Sequence, residues 1–288
     1  MLKTAYDRFK SGLYLAAESV SILRHHPILL LYFFGLLAAY ASVFIFSYNL
    51  IGYHGACLHA AGEFNAPQQN LLAEIIPQAG GLIYLGLVFS VLLNILLRNT
   101  VSFALVQHTH ALLHGHRPWL KEILKGTFSR RLHILYWSLI QGGVTFLISA
   151  LSTLSLSLNS TIFLIIVLSL GTGWLIVSFF VIPILALTSK TISRTIHISS
   201  ELLMSYILEI LGGLFWIGLM YLFAGIINMV IIIYFLPENV REIYTEHTFA
   251  IFNTLFSTVM LIFKTTLYHE KTAKVQRPAD FIPDYTQF

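Results

Sequence analysis

Four histidines form the most chemically suggestive pattern in the chain: His108, His110, His114 and His116, spaced H-x-H-x3-H-x-H. His110 and His114 are four residues apart, so on a helix they share a face, as zinc-binding pairs do. No carboxylate stands among them, and the H-E-x-x-H pattern of zinc peptidases is absent. The plainer role is a helix end whose imidazoles meet lipid headgroups. A second set, His54, Cys57 and His59, offers soft and borderline ligands suited to copper or zinc. Its spacing matches no standard site, and a loop with a free thiol is the plainer reading. Nucleophilic catalysis has no anchor, because there is no G-x-S-x-G elbow. A single cysteine excludes an internal disulfide and a C-x-x-C redox pair.

Three further polar residues lie inside long apolar runs, where burial in hydrocarbon is costly and function is the default suspicion. They are Asn94, Gln141 and Glu209. Each falls in the same third of its run, so adjoining helices would give a small polar cleft open on that side. The plainer alternative makes Asn94 and Gln141 interhelical hydrogen-bonding residues and sends Glu209 to the headgroups.

The elements that must position these groups are apolar. Of 288 residues, 57% are hydrophobic and 10% charged, against about 25% charged in typical globular chains. Six runs stand out: residues 27–51, 80–97, 134–156, 161–188, 206–236 and 249–268. They are near the ~20 residues a membrane helix needs and continuously apolar, which excludes β-barrel strands. The expected fold is therefore all-α: a polytopic membrane bundle of six transmembrane helices in one domain, residues 1–268, with a tail over 269–288. The fifth run would be ~46 Å long as one helix, more than a ~30 Å hydrocarbon core. It must tilt, break at Gly212-Gly213 or begin in the interface. The sixth is short unless Lys264 snorkels to the headgroups. No charge falls near the middle of any run as bounded here, which argues against ion-coupled transport.

Sixteen of the 17 Lys and Arg residues fall on one side of this layout, and only Arg241 lies opposite. The positive-inside rule then places both termini in the cytoplasm, in a cell inner membrane. The net charge of +4 reflects that bias, so membrane lipids rather than nucleic acid are the expected partners. The tail, with Asp280 and Asp284 among prolines and aromatics, suits protein binding better than catalysis.

The basic segments are amphipathic as well. Tyr6, Phe9, Leu13, Ala16, Ala17, Val20 and Leu23 recur at helical spacing, the pattern of an interfacial helix. Trp119, Leu120, Ile123 and Leu124 follow Pro118 on a face opposite Lys121 and Lys125. Ile192, Ile196, Ser199 and Leu203 make a third stripe. The chain thus reads as three units of interfacial helix, span out and span back. Gly-Gly pairs recur in the third and fifth spans (Gly142-Gly143, Gly212-Gly213), which suggests a threefold hairpin quasi-repeat.

The stretches SVSILRHHPILLLYFFGLL from Ser19, ALLHGHRPWLKEILKGTFSRRLHILYWSLI from Ala111 and FFVIPILALTSKTISRTIHISSELL from Phe179 resemble an uncharacterised family of six-helix prokaryotic integral membrane proteins. Gly115, Pro118, Trp137 and Pro183 carry the resemblance, which covers roughly residues 10–235. The layout is also similar to the membrane domain of some glycerophosphodiester phosphodiesterases. Thr188-Ser189-Lys190 stands where the family has an acidic residue. The resemblance implies a six-helix bundle with interfacial helices, and it brings no catalytic residues or cofactor. The expected protein is not an enzyme and binds no cofactor. It organises or contacts lipids or a partner, with a transporter or lipid-handling cleft at Asn94, Gln141 and Glu209 as the alternative. A histidine-dependent metalloprotein or membrane enzyme is the third reading.

Overall fold

A computed structural model describes residues 2–41, 66–158, 160–235 and 237–275, and among them every regular element is helical. In chain order these are α1 (Leu2–His25), a 3-10 turn (Pro27–Leu29), α2 (30–41), α3 (Ala66–Leu113), α4 (Leu120–Ser129), α5 (Arg131–Ser157), α6 (Thr161–Val177), α7 (Val181–Leu187), α8 (Ile192–Ser205), α9 (Ile207–Phe235) and α10 (Glu238–Val275). Five helical segments are long and apolar enough to cross a membrane: Val88–Leu113, Arg131–Ser155, Thr161–Leu187, Ile207–Phe235 and Thr248–Thr272. The bent pair Lys3–His25 and Pro27–Ala41 makes a sixth if taken as one span. The first expected span is described only to residue 41. His54, Cys57, His59, Asp280 and Asp284 lie outside the described residues.

The surface is inverted relative to a soluble protein. Phe146, Ile162, Leu175, Phe223 and Tyr234 are largely exposed, while Ser19, Asn99, Thr109, Thr258 and Thr265 are buried. Contiguous apolar surface on this scale marks contact with lipid. α10 is the central helix, with 56% of its crossing window buried against 11% for α9. Its threonines bond to their own backbone: Thr254, Thr258, Thr265 and Thr266 donate to the carbonyls of Ala250, Thr254, Leu261 and Ile262 at 2.8–3.0 Å. Polar side chains can therefore occupy the packed centre with their donors satisfied.

Proline and glycine place the bends. Pro27 lacks an N–H and pushes His26 out of the helical region, to φ −124° and ψ 74°. There α1 turns by 94° from the helix that follows. α3 runs on past Arg98, where its span was expected to stop, for 48 residues in all. That is ~72 Å of helix, more than twice the hydrocarbon core. Nothing from Asn99 to Leu113 breaks a helix, and burial of Phe103, Ala104, Leu105 and Val106 against Leu29, Tyr32, Trp137, Val181 and Leu185 holds the extension in place. It ends at Gly115, in the left-handed region at φ 76°. Arg98 and Lys264 thus lie within crossing segments, Arg98 close to the middle of Val88–Leu113, where no charge was expected. Arg98 is exposed. The Lys264 ammonium rests 4.2 Å from the centre of the Phe179 ring rather than reaching outward.

α9 is unbroken at Gly212-Gly213. The pair serves packing instead. A Cβ on Gly212 would come 2.2 Å from the Phe9 carbonyl oxygen, and one on Gly12 would come 1.9 Å from that of Glu209. Backbone meets backbone where α1 crosses α9, and only glycine permits that approach. Gly142 faces the Leu92 side chain, and Gly143 faces open space.

The buried face of α1 differs from the expected stripe. Gly12, Leu15, Ala16 and Ser19 point inward, whereas Tyr6, Tyr14 and Ala17 are exposed. The α8 stripe holds, with Thr195, Ser199 and Leu203 buried. On α4, Ile123, Gly126 and Thr127 face inward, while Trp119 and Phe128 stand exposed on either end. Two short helices dock on helices earlier in the chain, α4 on α3 and α8 on α6 and α7, whereas α1 docks on the later α9 and α10.

Candidate functional site

The three intramembrane polar residues do not converge. The Asn94 amide donates to the Ala39 carbonyl, tying α3 to α2. Gln141 accepts at Oε1 from Asn99 Nδ2 at 3.0 Å, and the same Nδ2 reaches Ser138 Oγ at 3.0 Å, tying α3 to α5. Glu209 is buried elsewhere, on α9. It accepts from Arg8 Nε and Nη2 at 2.9 Å each, and Lys271 Nζ lies 3.6 Å from Oε1. α1, α9 and α10 are thereby joined by one carboxylate. The carboxylate also pushes the Arg8 pKa above its ordinary value, chiefly through the hydrogen bond. These are bonding partners at three separate interfaces. Asn99, Arg8 and Lys271 were not singled out in the sequence, because a polar residue at a helix end looks like any other headgroup contact.

The four-histidine row is also divided. His108 turns inward, fully buried, with its Nδ1 2.9 Å from the Tyr32 hydroxyl. His116 lines a pocket beyond the end of α3. His110 and His114 stay together and are joined by His269 from α10. Their ring centres lie 4.3 Å (His110–His114), 4.6 Å (His114–His269) and 5.4 Å (His110–His269) apart. One ring nitrogen from each lies within 4.8 Å of the others. His269 is more than 150 residues from its neighbours, so local spacing gave no sign of it.

A backbone repair organises the next end of the bundle. Pro183 has no N–H to continue the helix, and α6 gives way to α7 over Ser178 to Phe180. Ser199 of α8 fills the gap: the Phe180 N–H donates to its hydroxyl at 3.0 Å, and the hydroxyl donates to the Val177 carbonyl at 2.7 Å. Broken backbone at membrane depth needs such partners.

Between α3, α4 and α7 lies a pocket of ≈ 440 Å³. Its polar wall includes Gln107, His110, His116, Arg117 and Arg130, and its apolar wall Ala111, Pro118, Ile123 and Leu187. Arg130 is anchored: its Nη1 donates to the Leu185 carbonyl at 3.0 Å and to that of Thr188. Burial pushes its pKa below the ordinary value, yet a guanidinium stays charged. Gln107 is fixed by donating to the Ala186 carbonyl and accepting from Thr127, both at 3.2 Å. Glu122 also borders the pocket, but its carboxylate accepts from the Trp119 N–H at 3.1 Å. The lining thus sets two guanidinium groups and one carboxylate among apolar residues, and Trp119 and Phe128 are exposed at either end of α4.

Fold and surface define a polytopic α-helical membrane protein. More narrowly, residues 80–279 match the model of a family of unknown function (DUF6159), and the chain belongs to that family. No curated protein and no solved structure matches it.

Proposed function

We propose that the protein is a non-enzymatic, lipid-interacting bundle of the cell inner membrane whose pocket between α3, α4 and α7 takes an anionic lipid headgroup. One observation carries this reading: Arg117 and the anchored Arg130 both line a pocket that Ala111, Pro118, Ile123 and Leu187 also line. Guanidinium groups match phosphate oxygens in charge and fork geometry. The volume falls within the usual range for small-ligand sites, about 300–1,000 Å³. α4 suits a helix lying in the headgroup layer, with Lys121 and Lys125 beside exposed Trp119 and Phe128. The gathering of basic residues at this end favours a cytoplasmic location for it.

The test is native mass spectrometry of the detergent-purified protein after exchange into mixtures of phosphatidylglycerol and phosphatidylethanolamine. We expect one retained phosphatidylglycerol in preference to phosphatidylethanolamine, and loss of that preference in Arg117→Gln. Arg117 is exposed, so this change spares the core. Equal retention of the two lipids, or no effect of Arg117→Gln, would sink the reading.

A further inference from the structure

Two histidines one helical turn apart, met by a third from another helix, make a ligand set that the sequence row did not define. We propose that His110, His114 and His269 bind one zinc ion in a three-histidine site whose fourth coordination position is open. The inference goes beyond the lipid reading, sharing His110 with that pocket, and stands on three observations.

Geometry comes first. Nitrogens bound to one tetrahedral zinc at ~2.05 Å lie ~3.4 Å apart. The three candidate nitrogens already lie within 4.8 Å of one another. The difference left to close is at most about 1.4 Å for any pair.

The second observation is tautomer control. The Nδ1 of His114 lies 2.9 Å from the His110 carbonyl oxygen. A carbonyl only accepts, so Nδ1 carries the proton and Nε2 keeps its lone pair for a metal. Metal-binding histidines commonly donate their second ring nitrogen in this way, which fixes the ligand before the ion arrives.

Third is access. His114 is exposed while His110 and His269 are half-buried, so an ion can enter from the end of α3 and settle against packed helices. Three imidazole ligands with no carboxylate among them disfavour magnesium and calcium, which take oxygen ligands. They suit zinc and its neighbours in the first transition row. With three protein ligands, the fourth place falls to water or an anion.

The experiment uses the full chain in detergent, purified through a tag without histidines, stripped with a chelator and titrated with zinc chloride against a chromophoric chelator. One equivalent should bind. His114→Ala and His269→Ala should each weaken binding about tenfold or more, since even second-shell changes cost that much. His116→Ala and His133→Ala should bind as the parent does. His114 is exposed, so its variant tests the site without disturbing the core. In a parallel thermal scan, zinc should raise the Tm of the parent and leave that of His114→Ala unmoved. Binding unaffected by His269→Ala, or weakened equally by His116→Ala, overturns the assignment, as does the absence of a one-equivalent endpoint.

Discussion

Ser199 shows how much a single hydroxyl can carry. Removing it leaves the Phe180 N–H and the Val177 carbonyl unpartnered beside a proline break. Ser199→Ala should therefore lower stability by about 1–3 kcal/mol, seen as a lower Tm in detergent, and an unchanged Tm would refute the repair role. Glu209→Ala should also lower the Tm, by a smaller margin than a fully buried ion pair would imply, because the Arg8 side chain is 37% exposed and rehydrates. These roles were only half legible. Ser199 stood on the expected α8 stripe, but its task is set by Pro183 in another element. The importance of Glu209 was legible from its place inside an apolar run, yet its partner Arg8 lies 201 residues away. No local pattern could supply that pairing.

At the scale of elements, α1 gives the sharpest lesson. Its apolar residues mark a helical stripe, and its small residues mark the packing face. In water these would coincide. Beside lipid they separate, because large apolar groups gain nothing by leaving hydrocarbon while small ones let helices close. The spans themselves were legible because continuous apolar length has few other uses. The end of α3 was not, since burial rather than composition extends it past Arg98. Two glycine substitutions separate packing from propensity. Gly12→Ala forces a Cβ into the Glu209 backbone and should loosen α1, measured as faster proteolysis near the N-terminus and a lower Tm. Gly143→Ala meets nothing within 4 Å and should hold or raise stability by up to about 1 kcal/mol. If both behave alike, the crossing does not depend on glycine.

Among the described residues α10 packs against α1, α3, α7 and α9, and charged side chains gather toward one end of these helices. Arg8, Glu209 and Lys271 meet at one contact, and Arg130 binds carbonyls at the end of α7. If that end is cytoplasmic, the single native thiol, Cys57, lies across the membrane from it in the chain layout. A membrane-impermeant maleimide should then label Cys57 in right-side-out vesicles. It should fail to label a cysteine placed at Lys3 in a Cys57→Ser background until the vesicles are opened. The reverse pattern would invert the topology.

The docking of α1 on α9 also sets an order of events during synthesis. α1 leaves the ribosome before α9, and its binding surface is made 201 residues later. At ~5–20 residues per second that is about 10–40 s of waiting. Through that interval the helix must be sheltered at the membrane surface or by another protein, exposing Gly12, Ala16 and Ser19. The α9–α10 hairpin therefore completes this contact by capturing α1. An α1 supplied as a separate peptide should be able to complete a chain that lacks it.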